Sequence, residues 1–207
     1  MEYLTIHPVN PQPRLVKKAV EILKQGGLAA YPTDSCYALG CILSAKSAQD
    51  RIRQLRNLEM EHFFTLICKD LSEVGRYCVL RNESFQILKQ CLPGPYTFIL
   101  PSQDVARNLL DKRKTIGVRV PGHPIVQALL AELGEPLVSS TLWLPTDEAP
   151  LTDPQIIRER LEHALDLLID GGVAETVPTT VVDLIGATPK VLRVGRGDSS
   201  LFAESQA

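Results

Sequence analysis

The chain has 207 residues, of which 44% are hydrophobic and 22% are charged, with a formal net charge of −2. These values are typical of a globular protein and exclude a polycation, so nucleic-acid binding would need a local basic patch. No apolar run approaches membrane-spanning length, and the N-terminal residues lack the basic and apolar regions of a signal peptide, which predicts a cytoplasmic protein without a membrane partner. We expect a single domain over 1–207, with a motif-bearing core from about 13 to 197.

Periodic apolar residues predict alternating helices and strands along the chain. Helices are predicted over Leu15–Leu23, after Ser47 with Asp50 in a capping box, over Asn82–Cys91, over Pro124–Leu133 and from Pro154 to Ala164 with Ile156 on the buried side. Strands are predicted over Leu28–Tyr31, Phe63–Cys68, Tyr96–Leu100, Thr115–Val120, Leu137–Leu142, Leu167–Ile169, Thr180–Ile185 and Lys190–Val194. The alternation predicts an α/β fold, a twisted sheet with helices packed on it. The last two strands should form an antiparallel hairpin, which makes the sheet mixed.

The five cysteines are an odd number without metal-ligand spacing. They are predicted to be reduced and mostly buried, and no metal site is expected.

The segment from Tyr31 to Gly40 places polar groups at the end of a buried strand. Pro32 ends sheet pairing, and Thr33, Asp34 and Ser35 follow at once, at the sheet edge where open α/β proteins bind ligands. Gly40 permits a close approach of backbone. The alternative is an ordinary polar turn.

Short loops containing Gly94 and Gly122 could present backbone N–H groups to an anion, and the helix after His123 would add its positive N-terminus. His123 is more typical of a helix cap or a surface residue than of a ligand.

Two arginines, Arg119 and Arg193, interrupt otherwise apolar strands. A guanidinium in such a strand must reach solvent or an anion, and its planar fork suits carboxylate and phosphate. The alternative for each is a salt bridge to a nearby acid.

Basic residues also recur at Arg51, Arg53 and Arg56 and in the run Lys112-Arg113-Lys114. Together they could form a patch for a phosphate backbone, although such runs are usually solvated faces. Trp143, the only tryptophan, could stack on a base, but a packing role is the simpler interpretation.

Five motifs in order carry a resemblance to a known family. They are Pro32-Thr33 with Tyr37-Ala38-Leu39-Gly40, Pro93–Thr97, Gly117–Pro121 with His123-Pro124, Pro178–Asp183 and Val191–Gly195. This order resembles the YrdC/YciO family, which includes the threonylcarbamoyl-adenylate synthases.

The resemblance implies a large basic cavity in which L-threonine, bicarbonate and ATP with Mg²⁺ form threonylcarbamoyl-adenylate for transfer RNA modification, and it implies binding of double-stranded RNA. Carried over by motif, Thr33, Tyr37 and Thr179 would contact threonine. Arg119 would hold its carboxylate, and Arg193 would meet the phosphates of ATP or AMP.

Two family motifs are altered here. The family's Lys-x-Arg falls on Arg56-Asn57-Leu58, and its Ser-x-Asn falls on Thr141-Leu142-Trp143. A histidine that often ends the intervening strand falls on Cys68. Arg56 and Thr141 therefore retain one polar contact of each motif for the nucleotide, and the resemblance implies that Arg56 and Arg119 are catalytic. The departures resemble the YciO branch and predict weak or redirected synthase activity, because the developing phosphate charge loses fixed partners. Two alternatives stay open: a non-catalytic RNA-binding module, and an adenylate-forming enzyme for another small acid.

Overall fold

The strands of the protein form one twisted, ten-stranded sheet in a computed structural model that describes residues 1–59, 64–105 and 114–202. The strands are β1 (Glu2–Thr5), β2 (Ala29–Tyr31), β3 (Ala38–Ile42), β4 (Thr65–Ile67), β5 (Tyr96–Pro101), β6 (Thr115–Arg119), β7 (Leu137–Thr141), β8 (Leu167–Asp170), β9 (Thr180–Asp183) and β10 (Lys190–Arg193). The helices of these ranges are α1 (Pro13–Lys24), α2 (Lys46–Arg56), α3 (Leu71–Tyr77), α4 (Asn82–Cys91), α5 (Pro124–Leu133) and α6 (Pro154–Leu161). The α/β class is confirmed.

The strand order is β1-β8-β2-β3-β7-β4-β6-β5-β9-β10. The sheet is mixed, as predicted. β8 pairs in parallel with β1 and β2, and β4 with β6 and β5 with β9 also pair in parallel, whereas the other neighbours are antiparallel. The predicted hairpin of β9 and β10 is confirmed.

The two faces of the sheet are covered differently. α2, α3, α4 and α6 pack on one face and form the larger apolar core. On the other face, α1 and α5 cover β1, β8, β2 and β3, which we call the closed half. The rest of that face, on β4, β6, β5 and β9, lines a cavity and is called the open half. β7 lies between them, with Leu137 under the helices and Thr141 in the cavity.

Strand periodicity explains how β5 and β6 serve a core and a cavity at once. Side chains alternate between the two faces of a strand. Phe98 and Val118 enter the larger core, while Ile99, Gly117 and Arg119 line the cavity.

Several local predictions are wrong for identifiable reasons. α2 begins at Lys46 after Ala45, so Ser47 lies inside the helix, and Asp50 pairs with Arg53 instead of closing a capping box. Ile156 is 45% exposed, and Ile157 takes the buried position.

β1, β3 and α3 were not predicted. β3 is a fully buried strand containing a glycine and a cysteine, which gives no alternating pattern. Gly40 is required there because a Cβ would lie 2.8 Å from a ring carbon of Tyr31. The short helix α3 has a side-chain cap, since Asp70 accepts a hydrogen bond from the Glu73 amide at 2.8 Å.

All five cysteines are buried as free thiols. Of the helices in the described ranges, none combines the length and apolar character needed to cross a membrane.

Candidate functional site

A cavity of about 460 Å³ opens on the open half of the sheet. Its described walls carry many hydroxyl groups, from Thr65, Thr97, Thr115, Ser139, Ser140, Thr141 and Thr179. Three arginines, Arg56, Arg119 and Arg193, also line it, and Asp183 is the single carboxylate among its described lining residues. The cavity therefore has an excess of positive charge in a wall that is rich in hydrogen-bonding groups.

Arg119 is buried at the end of β6 and is held by the segment that follows β2. One of its terminal nitrogens donates to Thr33 Oγ1 and Ser35 Oγ, each at 3.0 Å, and forms an ion pair with Asp34. The interpretation of Arg119 as the partner of a nearby acid is therefore confirmed, and because Arg119 also lines the cavity, its binding of a ligand anion stays a prediction. Its Nε is buried and has no partner among the described residues.

The Gly122 loop holds a carboxylate of the chain itself, that of Asp34, and the binding of a ligand anion there stays a prediction. The Gly122 amide donates to the second carboxylate oxygen at 2.7 Å. The Gly94 amide is already bonded to the Val120 carbonyl at 2.9 Å. His123 caps α5, because its Nδ1 accepts a hydrogen bond from the Ile125 amide at 3.3 Å. Burial, the largest cause, lowers the pKa of His123, and Asp34 opposes this shift.

Arg56, the last residue of α2, reaches the end of β7. It donates to Ser140 Oγ at 2.8 Å and to the Thr141 carbonyl at 2.6 Å. It has no carboxylate partner among the described residues, and its Nε is buried without a partner. Burial lowers the pKa of Arg56, and repulsion from Arg193 adds to this.

Arg193 enters the cavity from the edge strand β10. It donates to the Thr179 carbonyl at 2.9 and 3.1 Å and to Thr179 Oγ1 at 3.2 Å. Partial desolvation lowers the pKa of Arg193, Cys36 opposes that shift and Arg119 adds to it. Its partners in the described chain are uncharged, so the Arg193 charge, like that of Arg56, is uncompensated by a carboxylate.

A β-bulge aims Arg193 into the cavity. Val191 lies opposite Val182, and Arg193 lies opposite Val181, so Leu192 is an extra residue between the two pairs. Val182 belongs to the larger core, whereas Val181 lines the cavity. In a regular strand without the bulge, Leu192 would lie opposite Val181, and Val191 and Arg193 would share one face.

The remaining predicted small-molecule residues differ in position. Tyr37, Thr141 and Thr179 line the cavity. Tyr37 is fully buried, donates to the Gly172 carbonyl at 2.8 Å, and has a pKa raised mainly by burial. Thr33 is not among the lining residues, and its Oγ1 accepts a hydrogen bond from Arg119 at 3.0 Å, while its direct contact with a substrate stays a prediction.

The predicted arginine patch on α2 is not formed. Arg51 bonds Asp166 at 2.6 Å, and Arg53 lies over the Phe64 ring at 4.7 Å with its side chain only 9% exposed. Arg56 turns into the cavity. The helical period separates residues 51 and 53 by about 200°, a signal that was available from the sequence. Lys114 is exposed, while Lys112 and Arg113 lie outside the described residues.

Several residues of the site were missed from the sequence. The sequence predicts Asp34 only as a polar residue at the sheet edge, yet Asp34 neutralises Arg119. No sequence signal points to Ser140 or Asp183, or to Asp147, whose backbone carbonyl accepts the Trp143 indole N–H at 2.9 Å. Their positions depend on β3 and β7 pairing and on a loop, which no local pattern encodes.

The described residues contain no group of three or more His, Cys, Asp or Glu side chains that could hold a metal ion. Mg²⁺ commonly uses one or two carboxylates together with substrate phosphates. Asp183 is the carboxylate in this cavity that fits such a role.

Comparison with known proteins gives a consistent result. Residues 21–195 match the Sua5/YciO/YrdC family model, whose description is "Telomere recombination". The chain is 51% identical over 203 residues to the uncharacterized protein YciO of Escherichia coli K12, covering 97% of this chain and 98% of that one. It is also 30% identical over 185 residues to a threonylcarbamoyl-AMP synthase of Vibrio vulnificus, covering 87% and 98% of the two chains.

Solved structures agree with the sequence comparison. The crystal structure of E. coli YciO superimposes with a TM-score of 0.92 at 50% identity, covering 97% of this chain and 98% of that one. The P. abyssi protein Sua5, crystallised with L-threonine, gives a TM-score of 0.85 at 22% identity, with 94% of this chain and 58% of that chain covered. The Sua5 similarity shows a shared fold.

Proposed function

This chain belongs to the Sua5/YciO/YrdC family, and we propose that its cavity binds ATP and a small amino acid and joins them as an adenylate. The specific proposal is a weak or divergent threonylcarbamoyl-AMP synthase, which uses L-threonine, bicarbonate and ATP and releases pyrophosphate. The observation that carries it is the pair of cavity arginines, Arg56 and Arg193, whose described partners are all uncharged. Two such cations in one hydroxyl-rich cavity favour a polyphosphate ligand.

The charges of the cavity suit nucleotidyl transfer. Negative charge grows on the departing pyrophosphate during this reaction, and fixed cations in a partly desolvated site stabilise it. Burial lowers the pKa of Arg56, and repulsion between Arg56 and Arg193 adds to this shift. A polyphosphate between them would relieve this repulsion. When bound with the nucleotide, Mg²⁺ would neutralise phosphate charge, and Asp183 could hold it.

The amino-acid end of the proposed site centres on Arg119. The Asp34 carboxylate occupies one terminal nitrogen of this guanidinium, while its Nε has no partner in the described chain. A substrate carboxylate would therefore share Arg119 with Asp34. This sharing weakens the attraction for a second carboxylate and supports a slow or redirected reaction.

The altered motifs support the same conclusion. Leu58 packs against the larger apolar core, and its amide bonds the Arg53 carbonyl at 2.9 Å, so it offers no charge to a nucleotide. Trp143 supplies an indole in place of an amide, and its N–H is already used by Asp147. Each change removes a polar contact from the position that the resemblance assigns to the nucleotide.

Calorimetry with ATP and Mg²⁺ tests the binding step. Arg193→Ala should weaken ATP binding by about 10- to 100-fold, since a hydrogen bond to a charged group contributes about 1.5–3 kcal/mol. Lys190→Ala is the matched control, because Lys190 is an exposed cation of the same strand outside the cavity lining. Equal losses in both variants, or no binding by the native protein, would overturn the proposal.

Pyrophosphate release tests the reaction. It should depend on bicarbonate and an amino acid, and it should be slower than in a synthase with both intact motifs. Replacing threonine by other small acids in the same assay separates the threonine proposal from its alternative.

Non-catalytic binding of double-stranded RNA or transfer RNA is the second candidate. The exposed Lys114 supports it, whereas Arg51, Arg53 and Arg56 are engaged within the protein. RNA binding that survives Arg193→Ala while ATP binding is lost would show that the two functions use separate surfaces.

A further inference from the structure

Trp143 is the only tryptophan of the chain and lines the same cavity as the three arginines. We propose that its indole is the stacking surface for the nucleotide base, so that the protein distinguishes nucleotides from simple polyphosphates. This inference rests on the proposed function, because it places the base of the same ligand whose phosphates meet Arg56 and Arg193.

The other aromatic side chains of the cavity are already engaged. Tyr37 is completely buried, with its hydroxyl bonded to Gly172. Phe64 is 8% exposed, and the Arg53 guanidinium lies over its ring. Trp143 is only partly buried. Among the described lining residues, Trp143 is therefore the aromatic ring with surface left to contact a ligand.

The indole is held in place by its own loop. Its N–H donates to the Asp147 carbonyl at 2.9 Å, and the Asp147 side chain accepts two hydrogen bonds from Arg160 of α6, both at 2.9 Å. The polar edge of the ring is thus satisfied, and the surface that it presents to the cavity is apolar. An apolar aromatic surface fixed in this way suits stacking, and Asp147 and Arg160 are its positioning residues.

The ring is anchored beside a phosphate-binding cation. The Trp143 amide donates to the Thr141 carbonyl at 2.9 Å, and Arg56 donates to the same carbonyl at 2.6 Å. One carbonyl oxygen therefore accepts hydrogen bonds both from the residue that carries the indole and from the Arg56 guanidinium. A nucleotide has matching parts, since a sugar joins its aromatic base to its anionic phosphates.

The experiment compares ATP with inorganic tripolyphosphate, which has the phosphates without the base. Both ligands are titrated by calorimetry, with Mg²⁺, into the native protein, Trp143→Ala and Trp143→Phe. Trp143→Ala should lose about 5- to 100-fold in ATP affinity, the range that base stacking on an aromatic side chain supplies. Its affinity for tripolyphosphate should stay the same, which also shows that the variant is folded. Trp143→Phe should recover part of the loss.

Intrinsic fluorescence gives an independent readout, because all tryptophan emission of the chain comes from Trp143. ATP should change this emission at saturation, while tripolyphosphate should leave most of it unaltered. Arg160→Gln should reduce the preference for ATP over tripolyphosphate without changing the affinity for tripolyphosphate.

The outcomes separate this inference from the proposed function. If native protein binds tripolyphosphate but gains nothing from the base, the stacking role is wrong and the phosphate site stands. Equal losses of both ligands in Trp143→Ala would assign the indole a packing role. Failure of the native protein to bind either ligand removes both proposals.

Discussion

The closed and open halves of the sheet share one face and differ in what covers it. Under α1 and α5, the strands present Ala29, Leu167 and Ile169, which are almost completely buried. On the open half, the same alternation presents hydroxyls and arginines to the cavity. Burial of apolar side chains therefore stabilises the closed half, whereas the open half presents polar groups whose hydrogen-bonding capacity is available to a ligand.

Arg119 is the exception to this contrast and should show the largest effect. Arg119→Ala would leave the Asp34 carboxylate, whose side chain is 19% exposed, without its cation. We expect a loss of about 3–5 kcal/mol in the free energy of unfolding, measured by urea denaturation, because breaking a buried ion pair leaves an uncompensated charge. The double variant with Asp34→Asn should recover part of this loss; a double variant no more stable than the single one would contradict the assignment.

Leu129→Ala tests the closed half. Leu129 of α5 is completely buried in the core beneath the helices, and its truncation should cost about 2–5 kcal/mol. Leu192→Ala is the matched control, since Leu192 is 50% exposed and should change stability by about 0.5 kcal/mol or less. The same denaturation experiment measures both. Similar losses in the two variants would show that the covering helices do not define a separate core.

Thr97→Val sharpens the comparison from the open half. Thr97 Oγ1 and Thr179 Oγ1 are hydrogen-bonded at 2.8 Å, and Thr179 Oγ1 also accepts a hydrogen bond from Arg193 at 3.2 Å. Loss of this bond should cost about 1 kcal/mol of stability but should also weaken ATP binding, because the support of Arg193 is loosened. Thermal unfolding and calorimetry on one preparation measure the two effects. Unchanged ATP affinity would limit Thr97 to a structural role.

His123 caps α5 of the closed half, and its replacement should have the smallest effect on stability. It caps α5 through a neutral Nδ1, and burial lowers its pKa below the ordinary value of 6.5. The unfolded chain therefore takes up a proton more readily than the native protein. The stability that this histidine supports is present above about pH 6.5 and is lost as the pH falls through the native pKa.

His123→Asn should keep the cap and flatten the dependence of stability on pH in this range. His163→Asn is the control, because His163 is exposed. An unaltered pH profile in His123→Asn would show that another group titrates.

The sequence predicts the elements of this fold better than their pairing. α1, α4 and α5 follow from apolar period and end signals, and the last hairpin follows from its turn residues. β3 could not be predicted from local pattern. Gly40 fits against the Tyr31 ring and Cys41 packs in the larger core, and these tertiary contacts, not strand propensity, account for both residues. β7 is then inserted between β3 and β4 by tertiary pairing alone.

The sequence predicts which residues lie in the site but not which of them contact one another. Arg119, Arg193 and Thr141 are in the cavity, as the motifs indicated. That Asp34 would pair with Arg119 depends on the end of β2 facing the end of β6, two elements 84 to 86 residues apart in sequence. Helical geometry predicts that Arg51, Arg53 and Arg56 point in different directions, because each residue turns the helix by about 100°. Their closeness in sequence alone does not show this.

The bulge at Leu192 makes strand register, and not only residue identity, a determinant of the charge in the cavity. A regular strand of the same sequence would place Leu192 opposite Val181 and Arg193 opposite Thr180, on the face of Val191. Every arginine of the chain would still be present, while the cavity would carry one cation fewer. The conformation of β10 should therefore be compared together with its sequence when members of this family are compared.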